Sequence, residues 1–314
     1  MSSNQISPAV AFPLSELPAP HAAFIRDPED ILQQIIDKYH ELTEDEFNPL
    51  LESDPQLKQF EAQAYVIWQQ ELRAATMALN SFLAYADEAE VEHIGATMQV
   101  YRQENEALER FRYRVALSWE ARNTAGALEM YRYHAYAASS EVLDANFKTP
   151  TFEAWGREGD RIYFDVTDDL GLDNPRPDHV LGVILANNES GIADADLLAT
   201  VNTHLSADKQ RPLTDFLALK AATVINYQVG AILNFYPGVD HQISVNEASA
   251  ALDIYVAERK RLGLDIAVSG LDKALHVAGV QSVELLGWEQ DLLIAWDSVA
   301  ICTATTISQG IVND

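Results

Sequence analysis

Five aspartates, Asp165, Asp168, Asp169, Asp173 and Asp178, fall within one loop-like stretch, a density of hard oxygen ligands that could hold calcium. Their spacing does not fit an EF-hand, so a solvated acidic connection stands beside the calcium reading. Glu90, Glu92 and His93, set before Gly95, are the nearest approach to a mixed ligand cluster, and an exposed acidic turn accounts for them without a metal. The 8 histidines include no HExxH pair and no close His-Cys grouping. Cys302, the single cysteine, sits in an alternating β-rich stretch with no histidine nearby in sequence and reads as a packed strand residue rather than a nucleophile. The 48 carboxylates supply many pairs for general acid and base work, none framed by a distinctive glycine or aromatic pattern. GxSxG, GxxxxGK[ST] and GxGxxG are absent. No catalytic residue, cofactor-binding residue or metal ligand is therefore assigned. A hydrolase using two carboxylates, or a calcium-supported site in the aspartate stretch, is the alternative function.

Arg110, Arg112, Arg114, Arg122 and Arg132, interleaved with Phe111, Tyr113, Tyr131 and Tyr133, form the one basic concentration. Such a pattern superficially resembles a nucleic-acid surface, but ion pairs with Glu106, Glu109, Glu120 and Glu129, or with an acidic neighbouring subunit, explain it as well. Charge favours the second reading. The formal net charge is -27, and residues 96–150 are the only balanced region, with 7 acidic and 7 basic groups. A field of that sign repels phosphate backbones and anionic lipid heads, which argues against nucleic acid and membrane as partners. A lone cysteine allows no intrachain disulfide, and the sequence contains neither a signal-peptide pattern nor a run of about 18 apolar residues.

The elements that must position these residues follow from periodicity. Residues 1–50 read as an extended arm, punctuated by Pro8, Pro13, Pro18 and Pro20, and a short helix carrying Ile31, Leu32, Ile35, Ile36 and Tyr39. Residues 51–150 read as a helical core region. Its main element is capped by Ser53 or Asp54, opened by Pro55 and marked by Leu57, Phe60, Ala64, Ile67, Ala75, Leu79 and Phe82. Tyr65, Trp68 and Leu72 widen its apolar face beyond one stripe, so it is expected to pack on more than one neighbour. Gly95 is read as a break, followed by a helix over Glu106 to Ser118, a turn at Asn123-Thr124-Ala125-Gly126, and a helix through Ala138. Residues 151–180 read as a connecting strand (Arg161 to Val166) and acidic loop.

Residues 181–314 read as an α+β domain with C-terminal strands. Strand 180–186, helix 194–205, strands 216–222 and 224–235, helix 246–262, a short helix near 270–278 and strand 282–286 give βαββαβ, the order of a ferredoxin-like sandwich. Residues 292–307 add one or two strands. The fold class is thus α+β: an N-terminal helical region with a long helix, then the ferredoxin-like βαββαβ domain and a C-terminal β segment.

Several stretches together resemble the baseplate J family of contractile phage tails. They are Glu109 to Leu117 (ERFRYRVAL), Thr124-Ala125-Gly126, Tyr131-Arg132-Tyr133-His134-Ala135, and Val142. Glu52-Ser53-Asp54-Pro55 and Ala89 to Gly95 lie upstream, and Arg211-Pro212-Leu213-Thr214-Asp215 downstream, so the resemblance runs in order from about 50 to 235. One departure stands before Val180, where Pro177-Asp178-His179 replaces a proline-glycine turn.

The resemblance implies a non-enzymatic wedge subunit of a contractile injection particle, a phage tail or a bacteriocin. It would be made and assembled in the bacterial cytoplasm and located in the baseplate of the virion or tail-like particle. The implied partners are a second wedge protein resembling phage tail protein I, copies of itself, and tail hub and sheath-initiating proteins, with rearrangement on sheath contraction. Phe60, Trp68, Leu72 and Leu79 are the expected apolar anchors of its interfaces. Arg110, Arg112 and Arg114 are expected to orient the central region by charge pairing.

Overall fold

The computed structural model describes residues 17–18, 20, 25–43, 54–119, 128–207, 212, 214–238 and 241–312. Most of the expected arm, Ser53, the 123–126 turn and part of the 211–215 step lie outside the described residues. The chain divides into two compact units, one of residues 13–102 with 108–116, the other containing 103–107 and 117–314.

The first unit is helical. Asp27 precedes α1 (Pro28–Thr43) and accepts from the Glu29 amide at 3.0 Å, while Asp54 caps α2 (Pro55–Asn80) by accepting from the Gln56 amide at 2.8 Å. Each helix thus opens on an aspartate followed by a proline whose missing N–H would have been unpaired anyway. Gly95 does not break the chain. It lies inside α3 (Glu88–Thr97), where an added Cβ would come within 2.8 Å of the Phe111 ring and of the Val100 carbonyl oxygen. The glycine is there for close approach of α4 (Leu108–Leu117), whose Phe111 is fully buried.

The second unit begins its described helices with α5 (Leu128–Ala138) and holds three small sheets. Strand β1 (Val142–Lys148), which sequence periodicity did not reveal, pairs antiparallel with β4 (His179–Ala186). Strand β4 pairs parallel with β5 (Phe216–Ala221) through the crossover helix α6 (Ala195–Leu205). Centrally placed β4 reads VLGVILA and is buried throughout that run, as a strand covered on both faces must be. Between β1 and β4 stands a hairpin of β2 (Thr151–Glu158) and β3 (Arg161–Asp168). The last sheet has the order β7-β6-β8, built from β6 (Thr223–Phe235), β7 (Val280–Leu286) and β8 (Ser298–Val312). Helices α7 (His241–Arg259) and α8 (Val268–Leu275) lie between β6 and β7 in sequence and supply Ala248, Leu252, Tyr255, Leu271 and Leu275 to its core.

The α+β class and the order of elements are as expected, but the six βαββαβ elements do not share one antiparallel sheet. The reason sits at one residue. Ala222 donates its amide to Ile184 of β4 at 3.0 Å, and Thr223 donates to Asp297, ahead of β8, also at 3.0 Å. Strands β5 and β6 thus follow one another with only Ala222 between them, and the chain changes partner from β4 to β8 between residues 222 and 223. Val183, Leu185, Ala222, Leu262 and Val299 form the apolar cluster at that crossing.

Candidate functional site

Helix α2 carries the first candidate surface. Phe60 is buried in its own unit, its ring 5.2 Å from that of Tyr39 in α1. Trp68 and Leu79 are half-buried, Leu72 is exposed, and Tyr65 is 53% exposed with its ring 5.6 Å from Trp68. Positions 65, 68, 72, 75 and 79 advance by three and four residues in turn, so Tyr65, Trp68, Leu72, Ala75 and Leu79 lie along one seam, with only Ala75 covered. Phe60 lies on the neighbouring stripe, turned inward.

Three of the five arginines serve the interior, and Arg122 lies outside the described residues. Arg112 donates to the carbonyls of Leu83 and of Ala86 (2.9 Å), with Glu109 at 3.5 Å, and Arg114 donates to the Tyr101 carbonyl at 2.6 Å. Both are buried, whereas Arg110 is half-buried. In the second unit Arg132 is only 3% exposed and is held by four hydrogen bonds: to the Ala145 carbonyl (2.7 Å), to Asn146 (3.0 Å) and to both oxygens of Glu129 (3.1 and 3.0 Å). A phosphate-binding stripe needs exposed guanidinium groups, and three of these arginines are committed to neighbouring carbonyls instead. Burying a charged fork is tolerable when nearly every donor is satisfied in this way.

Around Arg132 the second unit gathers its polar interior. Tyr131 stacks on Phe147 at 5.4 Å and donates to Asp215 at 2.5 Å, so the two sequence stretches 131–135 and 211–215 meet in space. A bulge at Leu143 turns Asp144 inward, where it is 3% exposed and accepts from the Tyr136 hydroxyl (3.0 Å), its neighbour's amide at Ala145 (2.9 Å) and the Leu262 amide (3.0 Å). Asn146 donates to the Trp296 carbonyl at 3.0 Å, and Lys148 and Lys220 lie 5.7 and 5.8 Å from the Trp296 ring. Burial alone would raise the Asp297 carboxyl, but the Lys220 hydrogen bond at 2.8 Å and its charge, with the Ser298 hydroxyl, hold it below the usual range. These contacts lock β1 to the segments that lead into the last sheet.

Neither metal candidate assembles. The Asp168 carboxyl meets Lys148 at 2.6 Å and accepts from the Leu170 amide, the lysine contact holding it below its ordinary value, while Asp169 accepts from the Gly171 amide. Glu88 pairs with Arg102, and Glu92 lies 3.8 Å from the same guanidinium. Among the described residues no three His, Cys, Asp or Glu side chains converge as a metal site requires. Burial pushes the Cys302 thiol up, away from the thiolate form a nucleophile needs. No described helix is long and apolar enough to cross a membrane.

His134 of α5 and His204 of α6 face each other at 5.8 Å. Burial, with a smaller contribution from His204, lowers His134 to about 4, and burial lowers His204 as well. An unfolded histidine binds its proton near pH 6.5, so the folded state loses stability as pH falls from there toward 4. With discount for partial exposure, the loss is on the order of 1–2 kcal/mol. Urea unfolding at neutral pH and at pH 4.5 should show a larger drop for the wild type than for His134→Leu. Equal drops would assign the acid sensitivity elsewhere.

The β2–β3 hairpin presents a second surface that sequence reasoning missed. Phe152 and Trp155 are three residues apart and would alternate to opposite faces, but a bulge at Glu153 brings Phe152 opposite Val166 while Trp155 stays opposite Phe164. Phe152, Trp155, Ile162, Phe164 and Val166 consequently share one face, with Trp155 71% exposed and the Phe152 and Phe164 rings 5.5 Å apart. On the other face the Tyr163 ring lies over Gly156, where a Cβ would come within 2.2 Å of it. The hairpin therefore carries an exposed apolar face on a two-stranded ribbon, an element that is marginal in water by itself.

Comparison with known proteins finds a family model, a relative and solved structures that resemble the chain. Residues 52–117 match the family model described as the Baseplate J-like N-terminal domain. Over 320 aligned residues, 95% of this chain and 97% of the relative, the sequence is 28% identical to baseplate protein J of Escherichia phage P2. A chain in the cryo-EM structure of the six-fold symmetrised anti-feeding prophage baseplate is 16% identical with a TM-score of 0.40, the match covering 65% of this chain and 43% of that one.

Proposed function

We propose, from the similarity of this chain to baseplate protein J of Escherichia phage P2, that it is a structural subunit of the baseplate wedge of a contractile phage tail or related particle. In this reading it joins a second wedge protein resembling tail protein I, copies of itself, and hub and sheath-initiating proteins, and it shifts its contacts when the sheath contracts. Its place is the baseplate of the virion or tail-like particle. Catalysis has no part in this role.

The observation that carries the reading is the seam on α2. Tyr65, Trp68, Leu72 and Leu79 follow the three-and-four spacing by which one helix offers knobs to another, and they remain at the surface of a helix that α1 already covers on its Phe60 side. A helix of the second wedge protein is the occupant proposed for it. Arg112 and Arg114 act indirectly in that assembly by holding α4 to the carbonyls beneath it.

Trp68→Asp is the decisive variant. Co-expressed with the neighbouring tail proteins, the wild type should elute as a defined heteromer by size exclusion with light scattering. The variant should leave that complex while the isolated chain stays folded by circular dichroism. Heteromer formation at wild-type yield by both Trp68→Asp and Leu72→Asp would remove the seam from the interface.

A further inference from the structure

The loop that follows β7 builds a cleft that the wedge reading leaves unused. Strand β7 ends its pairing with β6 at Leu286, opposite Gly230, and Gly287 has a φ of 76°, a left-handed turn that carries the chain off the sheet. Trp288 then donates its indole N–H to the Gln228 carbonyl of β6 at 3.2 Å, and its ring stands edge-on to that of Tyr227 at 5.8 Å. The far end of the loop is fixed as well. Asp291 accepts from the Val268 amide at 2.8 Å, and Leu292 and Ile266 exchange amide-to-carbonyl bonds, both at 3.0 Å. The loop is therefore a wall held at both ends, already shaped before any ligand arrives.

Between this wall and β6 lies a cleft of about 540 Å³, with Asn226, Gln228, Trp288, Glu289, Gln290 and Asp291 on its sides. On the α8 side a second hollow, of about 640 Å³, shares Trp288 and Asp291 with it. The lining is selective. No described lysine, arginine or histidine belongs to it, so nothing there neutralises a phosphate or a carboxylate, and the net charge of -27 repels both. A cation is served poorly too: of the two carboxylates, Asp291 already accepts from the Val268 amide, which leaves Glu289. Three side-chain amides remain, those of Asn226, Gln228 and Gln290, all exposed and none hydrogen-bonded through its side chain among the described residues.

A planar amide sets an N–H beside a carbonyl oxygen, which matches neighbouring hydroxyl groups that each donate and accept. The half-buried indole adds an apolar surface for the C–H groups of a ring that carries such hydroxyls. We infer that this cleft binds a neutral sugar ring, with the three amides reading its hydroxyls and Trp288 packing against its C–H face. The inference goes beyond the wedge reading and does not rest on it.

The test is titration of the full-length chain, followed by the NMR signals of the Asn226, Gln228 and Gln290 side-chain amides and of the Trp288 indole N–H. The probes are D-glucose, D-galactose, N-acetyl-D-glucosamine and L-rhamnose, with arginine methyl ester and inorganic phosphate as charged counterparts. At least one sugar is expected to shift these signals saturably with millimolar affinity, and phosphate to shift none. Asn226→Ala combined with Gln228→Ala removes two exposed side chains, and is expected to weaken sugar binding at least tenfold while the backbone amide spectrum away from the cleft stays unchanged. No shift with any of the four sugars at several hundredfold molar excess overturns the inference. So does a response to arginine methyl ester alone, which marks a cation site, and so does sugar binding that the double variant leaves at full strength.

Discussion

Replacing Arg132 with methionine is expected to destabilise the second unit by about 3–5 kcal/mol, the usual consequence of removing one member of a buried charged network. Methionine matches the stem of the side chain but satisfies none of the groups the guanidinium reaches. The Ala145 carbonyl, the Asn146 amide oxygen and the Glu129 carboxylate would all lose a donor at 3.1 Å or less. Lysine should recover only part of the loss, because one ammonium cannot span three partners that a planar fork meets at once. Urea unfolding monitored by tryptophan fluorescence measures both variants. A loss below about 1 kcal/mol for the methionine variant would mean that water or a rearranged neighbour satisfies the exposed groups, contrary to the burial described.

Asp144→Ala is expected to cost about 3–4 kcal/mol, since it strands a buried amide and a buried hydroxyl together. The Leu262 amide belongs to a fully buried residue, and the Tyr136 hydroxyl lies almost as deep. Asparagine should restore part of this stability. One oxygen can still accept from Tyr136 and Ala145, whereas the amide nitrogen that replaces the second oxygen would face another donor at Leu262. Hydrogen exchange distinguishes local from global effects: the Leu262 amide should exchange much faster in Asp144→Ala, and faster than in Asp144→Asn. An unchanged Leu262 amide would show that the carboxylate does not hold this junction.

These two side chains also show how far a sequence can be read. The Tyr131-Arg132-Tyr133 stretch stands out as basic and aromatic, and such a pattern fits a binding surface, an ion-pair network or an interior clamp equally well. Burial decides among them, and burial depends on residues far away in sequence. Ala145 and Asn146 meet Arg132 from the adjoining strand, and Leu262 meets Asp144 across 118 positions. Asp144 itself gives no sign of its role, because the bulge at Leu143 that turns it inward is a property of pairing with β4. The hairpin face was hidden for the same reason: alternation assigns Phe152 and Trp155 to opposite sides until a bulge shifts the phase by one residue.

What the sequence determined by itself is local. Asp27-Pro28 and Asp54-Pro55 start helices because cap and proline act within one turn, the 3.6-residue period along 55–80 specifies an amphipathic helix with too broad an apolar face, and the alternation around 216–235 and 299–307 specifies strands. Those signals fixed the α+β class and nearly every element between 180 and 286. Tertiary structure decided what the elements share. A strand's hydrogen-bonding edges carry no mark of their partner, so only the folded chain reveals that β5 and β6, separated by Ala222 alone, belong to two different sheets. Gly95 is the smallest instance: a break by composition, it is a helix residue by packing, because the Phe111 ring needs the space that its missing side chain leaves.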